Sequence, residues 1–345
     1  KDFRSSRAAS NSVKKINYQL SFINYKPMQT KSLNVVFFGT PDFAKASLEA
    51  IFKSHHKVVG VVTAADKASG RGMKLTPSPV KVFAEENGLN LFQPEKLRNP
   101  EFLEAIQNLN ADVFVVVAFR MMPQVLFSIP RLGTFNLHAS LLPDYRGAAP
   151  INYAVINGET KTGVTTFFIN EKIDEGSILL QAETDVLPED NAGTLHDKLM
   201  NIGSELIIKT LDGLADNSIE EKPQPDKENP KTAYKIFKEN LKIDWNQSAE
   251  TVHNFVRGMS PYPTAFTILK VGDEEKSLKI FKGKFEVESH SLEAGDFDIS
   301  KTEFKFYTND GIYYPEDVQI QGKKRLPVKD FLNGIHNFEE YRKLV

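Results

Sequence analysis

The fold is decided by residues 33–43, which read LNVVFFGTPDF. An almost uninterrupted apolar run up to Phe38 is typical of a parallel β-strand that is buried on both faces. Gly39 ends this run, and Pro41 stands where the first turn of a helix tolerates proline, because the backbone N–H of that position has no helical partner. The pattern therefore predicts a strand, a tight turn and then a helix over residues 43–52.

The same alternation of strands and helices continues along the chain. Further elements are predicted as strands at residues 58–63, 112–118, 134–137 and 163–169, and as a helix at 100–109. This order favours a doubly wound, Rossmann-like α/β sheet that binds ligands beyond the carboxyl ends of its strands. The turn at Gly39 is not G-x-G-x-x-G, no acidic residue closes the second strand and no Walker P-loop is present, so the sequence argues against a dinucleotide or nucleoside triphosphate site.

Composition limits the classes of function. The chain has 345 residues, 41% of them apolar and 26% charged, with a formal net charge of -2, as expected of a two-domain globular protein. This charge argues against a globally basic nucleic-acid binder, so any RNA contact must come from local clusters of Lys and Arg. The absence of cysteine excludes disulfides and a cysteine nucleophile and fits a cytoplasmic protein. No apolar run approaches the ~20 residues of a membrane span.

A boundary is predicted at residues 214–235, where three prolines stand among many charged residues. We therefore predict a catalytic domain over residues 32–213, a linker, and a second domain over 236–345. Short strand-like runs separated by turns indicate that the second domain is a small OB-like β-barrel. Residues 1–31 are basic and polar, and we expect them to be disordered or to lie upstream of a translation start at Met28.

Asn136 and His138 are candidate functional residues at the end of a predicted strand. Side chains of a strand alternate between its faces, so these two side chains project to the same side. An amide and an imidazole suit a developing oxyanion, since one is a neutral donor and the other can titrate. A histidine at a strand end can equally be a structural residue. The other histidines, among them His55, His56 and His253, show no metal-ligand spacing and are predicted to be structural or exposed.

Residues 136–150, which read NLHASLLPDYRGAAP, resemble the signature of the folate-dependent formyltransferase family. Residues 39–43 and the Gly-rich loop around Arg71 add to the resemblance, which extends from about Leu33 nearly to the C-terminus. It is greatest with the members that act on methionyl initiator tRNA. The resemblance implies that formyl is transferred from 10-formyltetrahydrofolate to the α-amino group of methionyl initiator tRNA, with no metal required.

Asp174 is the third candidate catalytic residue. An Asp two residues before a Gly is usually a turn former, and residue type alone favours that reading. The resemblance implies instead that Asn136, His138 and Asp174 form the catalytic trio, in which Asp174 would stabilise a protonated His138 and relay a proton. A hydrolase triad of Ser140, His138 and Asp174 is the alternative, but the G-x-S-x-G turn is missing.

The resemblance also implies a folate site. Its members are the segment Ser140, Leu141, Leu142 and Pro143, together with Val117 and Phe119 on the preceding strand and its end. Arg120 departs from the family pattern, in which a glycine usually follows the aromatic residue, and this leaves the local shape of the pocket open.

The tRNA contacts that the resemblance implies lie in two regions. In the loop over residues 63–81 they are Arg71, Lys67 and Lys74, and in the second domain they are the cluster Lys323, Lys324 and Arg325. We expect a monomer without an obligate protein partner. The alternatives are a formyltransferase for another amine, such as a sugar nucleotide, and a non-catalytic RNA-binding relative.

Overall fold

A computed structural model of the protein describes residues 31–69 and 74–343. In the N-terminal part the strands are β1 (Asn34–Gly39), β2 (Lys57–Val62), β3 (Lys67–Ser69), β4 (Lys74–Thr76), β5 (Leu91–Phe92), β6 (Val113–Val117), β7 (Thr134–His138), β8 (Arg146–Gly147), β9 (Lys161–Phe168) and β10 (Ile178–Asp185). The helices of this part are α1 (Asp42–Lys53), α2 (Pro79–Glu86), α3 (Pro100–Asn108), α4 (Gln124–Phe127), α5 (Pro150–Ile156) and α6 (Ala192–Ala215).

Seven of these strands form one mixed sheet in the order β10-β9-β7-β6-β1-β2-β5. β1 pairs in parallel with β2 and β6, and β6 pairs in parallel with β7, whereas β9 runs antiparallel to β7 and β10 antiparallel to β9. The α/β class is confirmed, with helices between the parallel strands. The sequence did not reveal that the sheet turns antiparallel beyond β7, because a buried strand has the same apolar pattern in either direction.

β1 is buried on both faces, as its sequence predicts. Val35 and Phe37 pack in the apolar cluster that includes α1 and α6, while Val36 and Phe38 pack in the cluster that includes α3. Alternate side chains thus reach opposite layers of helices, the arrangement expected of a strand with period two. This packing fixes the carboxyl ends of β1, β6 and β7 along one edge of the sheet.

The C-terminal part is an antiparallel, nearly closed barrel with helices at its ends. Its elements are β11 (Thr232–Ala233), α7 (Ala249–Met259), β12 (Ala265–Val271), β13 (Glu274–Val287), β14 (Phe297–Ile299), β15 (Phe304–Tyr307), β16 (Gly311–Ile320), β17 (Leu326–Pro327), α8 (Val328–Asn333) and β18 (Tyr341–Lys343). The barrel strands follow the order β14-β15-β16-β13-β12-β18. Trp245 stacks on Phe306 with ring centroids 4.4 Å apart inside this core, so the expected OB-like architecture is confirmed.

The segment predicted to be a linker lies against the N-terminal part. α6 extends to Ala215, and β11 pairs in parallel with β8. Between them, Lys222 forms an antiparallel bridge with Ile178, through hydrogen bonds of 2.7 and 2.9 Å. Composition described the polarity of this segment and not its path, because a chain that pairs through its backbone needs no apolar side chains.

His56 joins the turn after α1 to α6. The backbone N–H of Leu33 donates to His56 Nδ1 at 3.2 Å, and His56 Nε2 lies 3.1 Å from Asp212 Oδ1. Because Nδ1 accepts a hydrogen bond, Nε2 carries the proton of the neutral ring and donates it to Asp212. Burial lowers the pKa of His56, the neighbouring His55 lowers it further, and Asp212 opposes both.

We expect His56 to make the protein less stable as the pH falls below about 6.5, the ordinary histidine pKa. The unfolded chain takes up a proton there and the folded chain, with its lowered pKa, does not, so protonation favours unfolding. In His56→Gln, the free energy of unfolding in urea should vary less between pH 7.5 and 5.5, by up to about 1.4 kcal/mol per pH unit for one proton. The exposed His336→Gln is the control, and an equal flattening in both variants would contradict the assignment.

Candidate active site

Asn136 and His138 lie at the carboxyl end of β7, where the sheet edge is widest open to a ligand. Asn136 stands between Val116 on β6 and Phe167 on β9. It is half-buried, and no described residue forms a hydrogen bond with its side-chain amide. His138 is 6% exposed. Strand phase therefore places both side chains on one side, as predicted, and leaves the amide of Asn136 available as a donor.

The partners of His138 define its protonation. Its Nε2 lies 2.8 Å from the carbonyl oxygen of Tyr145, and its Nδ1 lies 3.9 Å from Asp174 Oδ2. A carbonyl oxygen only accepts, so Nε2 carries a proton. Nδ1 is then the nitrogen that gains or loses a proton, and it faces a carboxylate across a distance longer than a hydrogen bond. The arrangement can bind a positive charge on the ring without a fixed pairing.

Asp174 is held in a strained turn. Its φ is +55°, a left-handed conformation that is uncommon outside glycine. The N–H of Gly147 donates to Asp174 Oδ2 at 2.9 Å. Gly147 itself has a φ of +122°, and a Cβ there would lie 2.3 Å from the carbonyl oxygen of Ala233. Only glycine allows β8 to approach β11 this closely, so the backbone donor for Asp174 depends on that residue.

The predicted folate segment is held from below by hydroxyl and amide side chains. Thr165 Oγ1 donates to the carbonyl oxygen of Ser140 at 2.7 Å and accepts from the N–H of Leu142 at 3.1 Å. Gln181 donates to the carbonyl oxygen of Leu142 at 3.1 Å. The Leu142–Pro143 peptide is cis. Leu141 and Pro143 are half-buried beside it, so this short segment has a defined backbone.

The hydroxyl of Ser140 donates to the carbonyl oxygen of Asp144 at 2.6 Å. His138 Nε2 is directed at Tyr145, so nothing in this geometry activates Ser140 as a nucleophile. The arrangement disfavours the hydrolase triad considered above.

Two of the predicted folate residues differ in what they can offer. The side chain of Val117 is fully buried in the cluster that contains Phe37, so only its backbone can face a ligand. Phe119 is half-buried, and its ring packs edge-on against Phe38 with centroids 5.7 Å apart. Arg120 turns away and donates to the carbonyl oxygens of Pro94 and Glu95. The departure at Arg120 therefore ties the end of β6 to the loop before α3.

The predicted tRNA contacts are only partly within the described residues. Arg71 and the side chains of Lys67 and Lys74 lie outside them, although the backbone of the loop forms the β3–β4 hairpin. Lys323 and Lys324 are exposed on the turn between β16 and β17. Arg325 pairs with Asp317, and its guanidinium lies 4.1 Å from the centroid of the Phe281 ring. Of that cluster, the two lysines are the more available for a phosphate.

His55, His56 and Asp212 form a group that spacing in the sequence did not reveal. Their possible ligand atoms all lie within 4.8 Å of one another. The hydrogen bond from Leu33 to His56 Nδ1 leaves the proton on Nε2, and a protonated nitrogen cannot bind a metal ion. The group therefore fits the structural role described above.

Sequence reasoning also missed Gln224 and its neighbours in the linker. Gln224 contacts the Asp174 loop and β8, and Lys227 and Lys231 contact residues of the turn before β8. The only local signal was an uncharged polar residue between two prolines, which does not identify a partner 50 residues away.

Comparison with known proteins gives consistent results for both parts of the chain. A family model described as "Formyl transferase" matches residues 33–211, and one described as "Formyl transferase, C-terminal domain" matches residues 235–336. The methionyl-tRNA formyltransferase of Flavobacterium johnsoniae is 50% identical over 88% of this chain and 97% of its own length. That of Bacteroides fragilis is 43% identical over 91% of this chain and 99% of its own.

Solved structures support the fold at lower sequence identity. An N-formyltransferase from Helicobacter canadensis, in complex with folinic acid and dTDP-3-aminofucose, has a TM-score of 0.59. It is 20% identical over 82% of this chain and 99% of its own. Among the residues that the structure describes, no helix is long and apolar enough to cross a membrane.

Proposed function

Because this chain belongs to the methionyl-tRNA formyltransferase family, we propose that it transfers the formyl group of 10-formyltetrahydrofolate to the α-amino group of methionyl initiator tRNA. The product is N-formylmethionyl-tRNA, which serves translation initiation. The observation that carries the proposal is the convergence of Asn136, His138 and Asp174 at the carboxyl end of β7, in a chain 43–50% identical to named methionyl-tRNA formyltransferases.

The reaction needs charge stabilisation and a proton carrier. The methionine nitrogen attacks the formyl carbon, its bond to N10 of the folate breaks, the amine loses a proton and N10 gains one. The tetrahedral intermediate carries negative charge on the former carbonyl oxygen, which the free amide of Asn136 can bind as the charge develops. Asp174 accepts the proton of the amine, and its charge stabilises His138 protonated at Nδ1, 3.9 Å away.

The folate would lie along the segment Ser140–Pro143. Its support is the set of hydrogen bonds from Thr165 and Gln181, which hold this backbone in place before a ligand arrives. We assign the backbone of Val117 and the ring of Phe119 to the same pocket. The Phe119 ring is half-buried, so it retains surface for an apolar contact with the pterin. No metal is required by this chemistry.

The tRNA would contact both parts of the chain. Arg71, Lys67 and Lys74 on the β3–β4 hairpin remain our assignment for the acceptor arm, and Lys323 and Lys324 for phosphates on the barrel side. The two barrel lysines are exposed, as a phosphate contact requires. We propose that the protein acts in the cytoplasm as a monomer.

One assay tests the proposed function directly. The protein is incubated with 10-formyltetrahydrofolate and methionyl initiator tRNA, and N-formylmethionine is measured after hydrolysis of the ester bond to tRNA. A parallel reaction contains an amino-sugar nucleotide in place of the tRNA. Formylation of the sugar alone would establish the alternative substrate, and no product in either reaction would favour a non-catalytic relative.

We expect Lys323→Glu and Lys324→Glu, made singly, to weaken tRNA binding and to reduce its dependence on salt. Each lost phosphate contact releases fewer counterions, which lowers the slope of log K against log salt by about 0.9 for duplex. The measurement is the KM for charged tRNA at two salt concentrations. Lys301→Glu is the control, an exposed lysine on another turn of the barrel. An equal effect of the control would show that net charge acts here and not a local contact.

A further inference from the structure

We propose that Gln224, in the segment between the two domains, is a positioning residue that holds the Asp174 loop for catalysis. It acts through backbone carbonyl groups and touches neither substrate. The inference rests on the proposed function, since it assigns Asp174 to the transfer of a proton. It adds part of the interdomain segment to the site.

The local sequence places Gln224 firmly. Among residues 221–230, Gln224 is the one side chain that is not exposed. Pro223 and Pro225 flank it, and proline fixes φ near -65° and keeps the preceding residue extended. Two residues earlier, Lys222 is bridged to Ile178 through both of its backbone groups. This stretch is therefore restrained before any side chain contributes.

The amide nitrogen of Gln224 holds two carbonyl groups of the Asp174 loop. It donates to the carbonyl oxygen of Asp174 at 2.7 Å and to that of Gly176 at 2.9 Å. A side-chain amide has two N–H donors, so both are used. These bonds grip the loop on either side of Glu175, directly at the residue whose carboxylate faces His138.

The amide oxygen of Gln224 binds the opposite side of the site. It accepts from Arg146 Nε at 3.0 Å and from Arg146 Nη2 at 2.6 Å. Guanidinium groups only donate and carbonyl oxygens only accept, so the orientation of the amide is determined by its partners. Gln224 thus joins β8 to the Asp174 loop, with every hydrogen-bonding group of its amide engaged except one lone pair at most.

Such a clamp is needed because Asp174 adopts a strained conformation. A non-glycine residue at φ +55° persists only where its surroundings hold it there. Gly147 on β8 holds the carboxylate, and Gln224 holds the backbone of the same residue. Removing Gln224 leaves one of these two restraints, so the carboxylate is free to shift relative to His138.

The ion pairs of the same segment cannot replace it. Lys227 pairs with Asp144 at 2.5 Å, and Lys231 pairs with Glu159. Both lysines are exposed, and exposed pairs contribute little and are screened by salt. Gln224 is neutral and half-buried, so its contacts keep their strength at physiological ionic strength.

The test uses Gln224→Met, which keeps the length of the side chain and removes its hydrogen bonds, and Gln224→Glu, which keeps the acceptor for Arg146 and loses both donors. Asn229→Met is the matched control, an amide replaced at an exposed position of the same segment. We expect Gln224→Met to lower kcat by roughly 10- to 100-fold, the scale of a catalytic group misplaced by about 1 Å. KM for the folate should change less than about twofold, since no binding contact is lost.

The pH profile distinguishes positioning from a general structural role. In the Gln224→Glu variant, the new carboxyl group can donate one hydrogen bond to the carbonyl groups when it is protonated, whereas its ionised form repels them. The kcat of Gln224→Glu relative to the unmodified protein should therefore rise as the pH falls, while that of Gln224→Met stays constant. A normal kcat in Gln224→Met, a change in KM alone, or the same ratio for both variants at every pH would overturn the proposal.

Hydrogen exchange separates this inference from the proposed function. In Gln224→Met, peptides that cover residues 171–178 should exchange faster, and peptides from the barrel and from Asn229→Met should not change. This result does not depend on the acceptor. If the unmodified protein fails to formylate methionyl-tRNA while the loop exchanges faster in Gln224→Met, the proposed function fails and the positioning role stands. Unchanged exchange in the loop would refute the role whatever the substrate.

Discussion

His138→Ala and Asn136→Ala are each expected to lower kcat by about 10²- to 10³-fold, while KM for 10-formyltetrahydrofolate changes little. Loss of a group that binds developing charge typically costs ~2.7–4 kcal/mol of transition-state stabilisation. Asn136 supplies a neutral donor, and His138 supplies a charge that Asp174 stabilises at 3.9 Å. Effects that fall on kcat and spare KM are those of contacts made mainly in the transition state.

Steady-state kinetics with each substrate varied measures this result, and His336→Ala serves as the control at an exposed histidine. His138 is buried and bonded to the carbonyl oxygen of Tyr145, so each variant also needs a thermal unfolding curve. Turnover within tenfold of normal in folded His138→Ala would refute the assigned mechanism.

Gly176→Ala is expected to destabilise the protein by about 3 kcal/mol or more, the upper range for overpacking. A Cβ at this position would lie 1.6 Å from the carbonyl oxygen of Phe168, which is backbone and cannot rotate away. The N–H of Phe168 is bonded to the carbonyl oxygen of Ser177 at 2.9 Å, so β9 and the loop are joined at this contact. The new methyl group must separate them, and Asp174 moves with the loop.

The free energy of unfolding in urea, together with kcat, tests this expectation. Gly334→Ala is the matched control, because a Cβ there meets its nearest atom at 3.5 Å, an ordinary contact that should change stability by less than about 1 kcal/mol. Equal stability of the two variants would show that the close approach at Gly176 is relieved at no cost.

The sequence predicted the fold well where burial alone determines the pattern. The run from Leu33 to Gly39 identified a strand covered on both faces, and β12 has the bounds that its sequence predicted, Ala265–Val271. The direction of β9 was not predictable, because direction depends on which edge of the sheet the chain reaches. The extension of β13 to Val287 was also missed, since its outer half is mostly exposed.

The site was predictable where its residues are close in sequence. Strand alternation placed Asn136 and His138 on one side, and the structure shows this arrangement. Asp174 required the family resemblance, because an Asp in a turn has no local mark of catalysis. The engagement of Arg325 with Asp317 and the contact of Gln224 with the Asp174 loop depend on distant backbone paths, which no local pattern encodes.

The pairing of β8 with β11 also determines where this protein can be recombined with its relatives. The two family models end and begin at residues 211 and 235, and a breakpoint at either border would appear equally harmless. A chimera joined after residue 211 would receive a foreign segment beside β8 and the Asp174 loop. One joined after Ala233 would keep the native segment with the site that it contacts. The inherited unit of catalysis therefore extends about twenty residues past the last helix of its own domain.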